Sequence, residues 1–266
     1  FRPNLSDEDK VRAMELLEIQ RQAMLMYTSC GWFFSEISGI ETVQIMKYAA
    51  RAMQVAARFT NKDLESKFLE ILSEAKSNIP ENGTGKDIFE KYVRPSVITL
   101  KQIASLWAIT SLYQDIDDEE NVYCYIVKRE DYKKVQKGNS TLLLGHIEIQ
   151  SRITLQKSNL RFALMQYAGG DFHCAIKEFS DADSYAKLKQ KLTNTFLLNP
   201  LTEIIRSLDE SFGKEYFTLK DIFIEERRRI LEILIQNKMR KYAQIYQEMY
   251  DEGKGSIYQM QNLGLA

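Results

Sequence analysis

Residues 142–155 read LLLGHIEIQSRITL, and their alternation decides what kind of fold this chain can form. Leu143, Ile147, Ile149, Ile153 and Leu155 fall on one side of an extended backbone, while His146, Glu148, Gln150 and Arg152 fall on the other. That period of two predicts a strand with one buried and one polar face. Residues 122–129, 160–168 and 171–179 are also rich in β-branched and aromatic side chains, alternate, and end at turn residues. Gly169 and Gly170, between the last two runs, give the clearest hairpin signal. A four-stranded antiparallel sheet is expected within residues 115–180.

On both sides of the sheet the period becomes helical. Ser6 followed by Asp7, Glu8 and Asp9 predicts an N-cap with acidic side chains facing the helix dipole, and Val11, Met14, Leu17, Met24 and Tyr27 continue one apolar stripe to about Thr28. Gly31 and Gly39 bracket Trp32, Phe33 and Phe34 in a structured loop over 29–40. From Glu41 the spacing of Ile45, Met46, Ala49, Ala50, Met53 and Ala57 predicts a helix whose alanines admit a close neighbour. Leu64, Phe68, Ile71, Leu72 and Ala75 make a third helix, broken by Pro80, Gly83 and Gly85. A fourth runs over 87–113, bent or restarted at Pro95, with Ile103, Leu106, Trp107 and Tyr113 inside.

After the sheet a helix is expected over 181–196. Asn199-Pro200 opens another, and a capping box from Thr218 to Asp221 starts a long segment through Ile222, Phe223, Ile230, Leu234 and Met249, with Glu225 and Arg229 one turn apart. The expected architecture is therefore α+β and helix-rich: an N-terminal helical bundle (1–114), an antiparallel sheet (115–180) and C-terminal helices (181–266), forming one compact unit.

Composition narrows the function classes. The 266 residues are 44% apolar and 27% charged, and 36 basic against 37 acidic side chains give a formal charge of −1, so neither nucleic acid nor an anionic membrane is an expected partner. No apolar run is long enough to span a bilayer, and the start of the chain is acidic and periodic rather than signal-like. Cys30, Cys124 and Cys174 are odd in number and far apart, as expected of reduced thiols in the cytoplasm. Beginning at Phe1, the chain reads as a piece of a longer protein.

Few residues invite a chemical reading. Trp32 with Phe33 and Phe34 is open to two: a hydrophobic plug between the first two helices, or a platform on which a sugar ring stacks. Cys174 and His173 point to opposite faces of a strand, which makes Cys174 a small core residue, and no spacing supports a Cys30/His173 nucleophile pair. No metal site or cofactor is expected, since the cysteines and histidines show neither CxxC nor HxxxH spacing. Gly83-Thr84-Gly85-Lys86 lacks the full phosphate-loop pattern and follows a helix, so it reads as a turn; the acidic run 115–120 reads as a solvated linker.

The stretch LLEIQRQAMLMYTSCGWFFSEISGIETVQIMKYAAR (16–51) resembles the C-terminal domain of unknown function that follows the catalytic barrel in a branch of glycoside hydrolase family 57, the alpha-amylase/alpha-mannosidase-like proteins. FALMQYAGGDFHC (162–174) and FTLKDIFIEERRRI (217–230) carry further similarity. The resemblance implies a non-catalytic accessory domain in carbohydrate metabolism. Its partners would be an N-terminal barrel of the same chain and an alpha-glucan or similar oligosaccharide, in a parent that is a glycosidase or glucanotransferase. The glutamate nucleophile and aspartate acid, held about 5 Å apart in retaining enzymes, would lie on that barrel, and no catalytic residue is carried over here. Cys30, Gly31, Trp32 and Glu41 match the most distinctive stretch; Phe33 lies within it. Ser35 stands where relatives have an acidic residue, and Glu36 is the nearest substitute. The implied carbohydrate-binding set is Trp32, Phe33, Cys30, Gly31, Glu36 and Glu41; the alternative is a structural or interaction domain with no ligand contact.

Overall fold

A computed structural model describes residues 4–114, 116–167, 171–222 and 224–263, and has the expected α+β architecture: a helical N-terminal region, a central antiparallel sheet and C-terminal helices. The sheet is a meander of β1 (Glu119–Val122), β2 (Tyr125–Lys137), β3 (Ser140–Ser151), β4 (Lys157–Gln166), β5 (Phe172–Glu178) and β6 (Tyr216–Phe217), each pairing antiparallel with its neighbours in sequence order. It therefore has six strands, not four. The last two residues of the acidic run 115–120, read as a linker, belong to the edge strand β1, where Glu119 pairs with Lys128 across the ladder. Charged edge strands lack the apolar alternation that marks a central one. Gly169 and Gly170, read as a hairpin turn, lie outside the described residues.

β3 departs from the expectation of one polar face. Leu143, Ile147 and Ile149 face α6 (Leu100–Thr110), as the alternation predicts, but Leu142 and Leu144 on the opposite side are also buried. They pack with Leu192 and Phe196 of α7 (Ala182–Leu198) and with Ile204, Leu208 and Phe212 of α8 (Leu201–Phe212). Helices thus cover the sheet on both faces. Ile153 and Leu155 are not in the strand: the Ser151 hydroxyl accepts from the amides of Ile153 at 3.3 Å and Thr154 at 3.1 Å, and Leu155 takes a left-handed φ of 60°. A serine that bonds the backbone ahead of it competes with the ladder, and the strand stops there.

The N-terminal helices are α1 (Asp7–Leu25), α3 (Ile40–Ala56), α4 (Leu64–Leu72) and the short α2 (Cys30–Phe33) and α5 (Gly85–Ile88). Ser6 caps α1 as expected, accepting from the Asp9 amide at 3.1 Å. The apolar stripe read on α1 is turned outward, however: Leu17, Met24 and Tyr27 are 63%, 72% and 79% exposed, while Glu15, Glu18 and Gln22 are buried. The single bent helix expected over 87–113 is two helices, α5 and α6, separated by irregular turns around Pro95 and an extended Val97. The Thr218–Asp221 capping box forms, but it caps a single 3-10 turn before α9 (Ile224–Asn262) begins. Arg229 reaches Glu226 at 3.5 Å rather than the expected Glu225.

At the centre, Trp107 of α6 stands edge-on to Phe162 at 5.9 Å and to Tyr132 at 6.3 Å between ring centroids. The Phe162 ring occupies the space a side chain at Gly145 would need: a Cβ there would lie 2.3 Å from the ring and 2.9 Å from the Asp131 carbonyl. Because the backbone oxygen cannot swing aside, Gly145→Ala is expected to lower stability by about 1–3 kcal/mol. A melting temperature equal to that of the parent protein would show that the ring and strand have room to give.

Candidate functional site

Between α1 and α3 the chain makes one short turn of helix, α2, held by amides of Trp32 and Phe33 that both donate to the Ser29 carbonyl, at 3.1 and 2.9 Å. Gly31 sits against α3 so closely that a Cβ would fall 1.7 Å from Ile45 Cδ1. This close approach seats α2 on α3, and a larger residue at 31 would have to push the Ile45 side chain aside. Trp32 is 74% exposed, Phe33 71% and Phe34 49%, and the two phenylalanine rings meet edge to face at 5.2 Å. Of the two readings of Trp32, the buried plug does not describe this arrangement. Cys30 is exposed beside it, and the outward stripe of α1 and the 80% exposed Ile40 add apolar surface.

The loop that follows is clasped by Glu36. Its carboxylate accepts from the Ser77 hydroxyl at 2.6 Å and from the amides of Ser38 and Asn78, each at 2.8 Å. Asn82 donates to the Ser38 hydroxyl at 2.9 Å, and Asn78 to the Ser35 carbonyl. These bonds, from Ser77 and Ser38 foremost, hold the Glu36 carboxyl at about 2, well below its ordinary 4.5. Glu36 thus fixes the aromatic turn to the segment after α4. Glu41 stands in the first turn of α3, where a carboxylate suits the helix dipole, and is half-buried.

A separate set of polar contacts runs along α1 and α3. Glu15 accepts from Arg58 of the segment after α3, and Glu18 accepts from Arg21 at 2.7 and 2.9 Å and from Gln22 at 2.8 Å. Burial pushes the Glu18 carboxyl up, but the Arg21 and Gln22 hydrogen bonds outweigh it and keep the group below its ordinary range. Arg51 bonds Gln54 at 2.7 Å, and Gln54 donates to the Ile98 carbonyl at 2.8 Å. Glu15, Arg51, Gln54, Arg58 and Tyr125 line a cleft of about 700 Å³ between the helical region and the sheet. Glu15, Glu18 and Gln22 recur at helical spacing, but so do Val11, Met14, Leu17 and Met24, and spacing alone does not choose which stripe is buried.

The family described as a domain of unknown function (DUF3536) matches residues 1–223. The chain belongs to that family. No curated protein and no solved structure matches it. The DUF3536 region includes the aromatic turn, its Glu36 clasp, the polar contacts of α1 and α3 and the whole sheet, and it ends one residue before α9.

Within the DUF3536 region the remaining sequence candidates fall apart spatially. Cys174 is fully buried in the core beneath α6, where burial pushes its thiol up, and its neighbour His173 packs against Tyr167 and Tyr216 at 5.4 and 5.3 Å. No group of three or more metal-ligating side chains occurs among the described residues. Thr84 and Asp87 form a capping box for α5, so of Gly83-Thr84-Gly85-Lys86, read as a turn, only Gly83 and Thr84 precede the helix, and Gly85 and Lys86 open it.

Two outcomes follow from this geometry. Because the folded carboxyl of Glu36 lies below 4.5, its contribution is present above that pH and fades as pH falls toward about 2. Glu36→Gln at neutral pH should speed hydrogen exchange at the Ser38 and Asn78 amides, and mild acid should do the same to the unmodified protein; unchanged protection would remove the clasp. The three thiols should also react in order of exposure, Cys30 first, the half-buried Cys124 later, and Cys174 only on unfolding. A mass shift at Cys174 in the native protein would contradict its placement.

Proposed function

We propose that this DUF3536 domain is a non-catalytic accessory domain of a larger cytoplasmic protein of the family-57 glycoside hydrolase type. It packs against the catalytic barrel of the same chain, and Trp32 with Phe33 contributes to the site that holds an alpha-glucan or similar oligosaccharide. The resemblance at residues 16–51 suggests the parent, a glycosidase or glucanotransferase. The observation that carries the role of the domain is the display of Trp32, an indole 74% exposed on a turn pinned from behind by Gly31 and Glu36. A flat, water-facing ring in a fixed frame suits the apolar C–H face of a pyranose, and its ordering cost is already met in folding.

A second reading, an interaction module with no ligand contact, is favoured by Leu17, Met24 and Tyr27 on the outer face of α1. Exposed apolar side chains in one stripe call for a partner surface. The two readings separate at one residue. Stacking on a sugar that removes roughly 60–80 Å² of apolar surface is worth on the order of 1.5–2 kcal/mol, or about a tenfold to thirtyfold change in affinity.

Trp32→Ala in the full-length parent should therefore weaken oligosaccharide binding by about that factor. Because the ring is exposed, stability should change by no more than about 0.5 kcal/mol. Calorimetric titration and a thermal melt of the same variant measure both. Unchanged affinity with an intact fold would leave Trp32 as part of a protein contact and overturn the sugar-binding role.

A further inference from the structure

α9 spans 39 residues, about 58 Å at the ~1.5 Å rise of a helix. Its beginning is held by the body: Ile230 is buried in the core beneath α6, and Leu234 packs against that core. Beyond this point Ile235, Met239, Tyr242, Ile245, Tyr246, Met249 and Tyr250 are between 42% and 72% exposed. Ile235, Met239, Tyr242, Tyr246 and Met249 recur at alternating steps of four and three, and a further step of four reaches Gly253. This average of 3.5 is the seam of a coiled coil, not the wider stripe of a helix lying on a globular core.

We propose that the seam is closed by α9 of a second copy of this chain, running antiparallel about a twofold axis level with Gln244. Three observations select that occupant and direction. With the axis there, Met239 meets Met249 of the second copy, Tyr242 meets Tyr246, and Ile235 lies over Gly253, where a Cβ would have nothing within 4 Å. Large faces small at that layer, whereas a parallel pair sets glycine against glycine and leaves a hole.

Charge agrees with the same direction. Lys238, Arg240 and Lys241 precede the axis, and Glu248, Asp251 and Glu252 follow it. Antiparallel helices bring the basic half of each copy to the acidic half of the other, with Lys238 beside Glu252, while parallel helices align like with like. Area is sufficient as well. Covering most of the seven exposed side chains removes on the order of 700–1,000 Å² per chain, close to the ~800 Å² per partner of a standard stable interface.

The test uses the 266-residue chain and its mass in solution by light scattering and sedimentation. At about 50 µM, above the micromolar Kd that interfaces of this size reach, the expected mass is twice the 31.0 kDa of one chain. Tyr242→Glu with Ile245→Glu should return a monomer with the circular dichroism melt of the body unchanged. In a background of Cys30→Ser and Cys124→Ser, a single Ile245→Cys should cross-link to itself on oxidation, and a single Ile235→Cys should not. A monomer at this concentration, a dimer that survives the double substitution, or a cross-link at 235 in place of 245 would each overturn the proposal.

Discussion

The contact on which the rest of this structure depends is the one between the Phe162 ring and the bare backbone of Gly145. The ring can lie against β3 only because position 145 carries no side chain, and the ring in that position gives Trp107 an edge to pack on. Aromatic side chains of this size bury roughly 150–250 Å² each, so this small group anchors α6 to the sheet. Tyr132 extends the arrangement by standing edge-on to Trp107 and donating its hydroxyl to the Ser111 carbonyl at 2.9 Å, which ties β2 to the end of the same helix. The opposite face of β3 is closed by α7 and α8, so the strand is buried twice and the sheet has no freedom to slip.

Within the helical N-terminal region α1 is held by polar contacts, and these line its side of the cleft that faces the sheet. Glu15 and Glu18 are each about as buried as the core aliphatics, and their partners are arginines, one from the segment after α3 and one a turn away on α1. Removing one of the arginines would leave a carboxylate in a poorly solvated place without its counter-ion. These contacts therefore specify how α1 is rotated. Once its carboxylates are committed inward, Leu17, Met24 and Tyr27 face out. The apolar outer surface and the charged inner one have a single cause.

Three local devices set the aromatic turn. Ser29 provides the carbonyl that starts α2, Gly31 allows it to rest on Ile45, and Glu36 binds the loop to Ser77 and Asn78. Gly31 alone was legible in the sequence, as turn chemistry beside an unusual aromatic triplet in an expected loop that is in fact the short helix α2. The third was not, because residue 36 and residues 77–78 are far apart in the chain, and a carboxylate gives no sign of which amides it will meet.

The sequence by itself determined the alternation of β2 through β5, the helical periods on either side, the Ser6 cap of α1, and the oddity of Trp32 between two glycines. These follow from residue-level preferences and from periods that say which side chains share a face. Asn199, read as an N-cap with Pro200 at the first helical position, instead ends α7, and Pro200 caps α8. Only the tertiary structure decided which face meets a neighbour. β3 reads the same whether one or both of its sides are covered, α1 carries a polar stripe and an apolar one of equal helical spacing, and β1 and β6 are strands because a partner edge was there to pair with. Periodicity is a property of one element, whereas burial belongs to the two surfaces that meet, and the second surface is brought in from elsewhere in the chain.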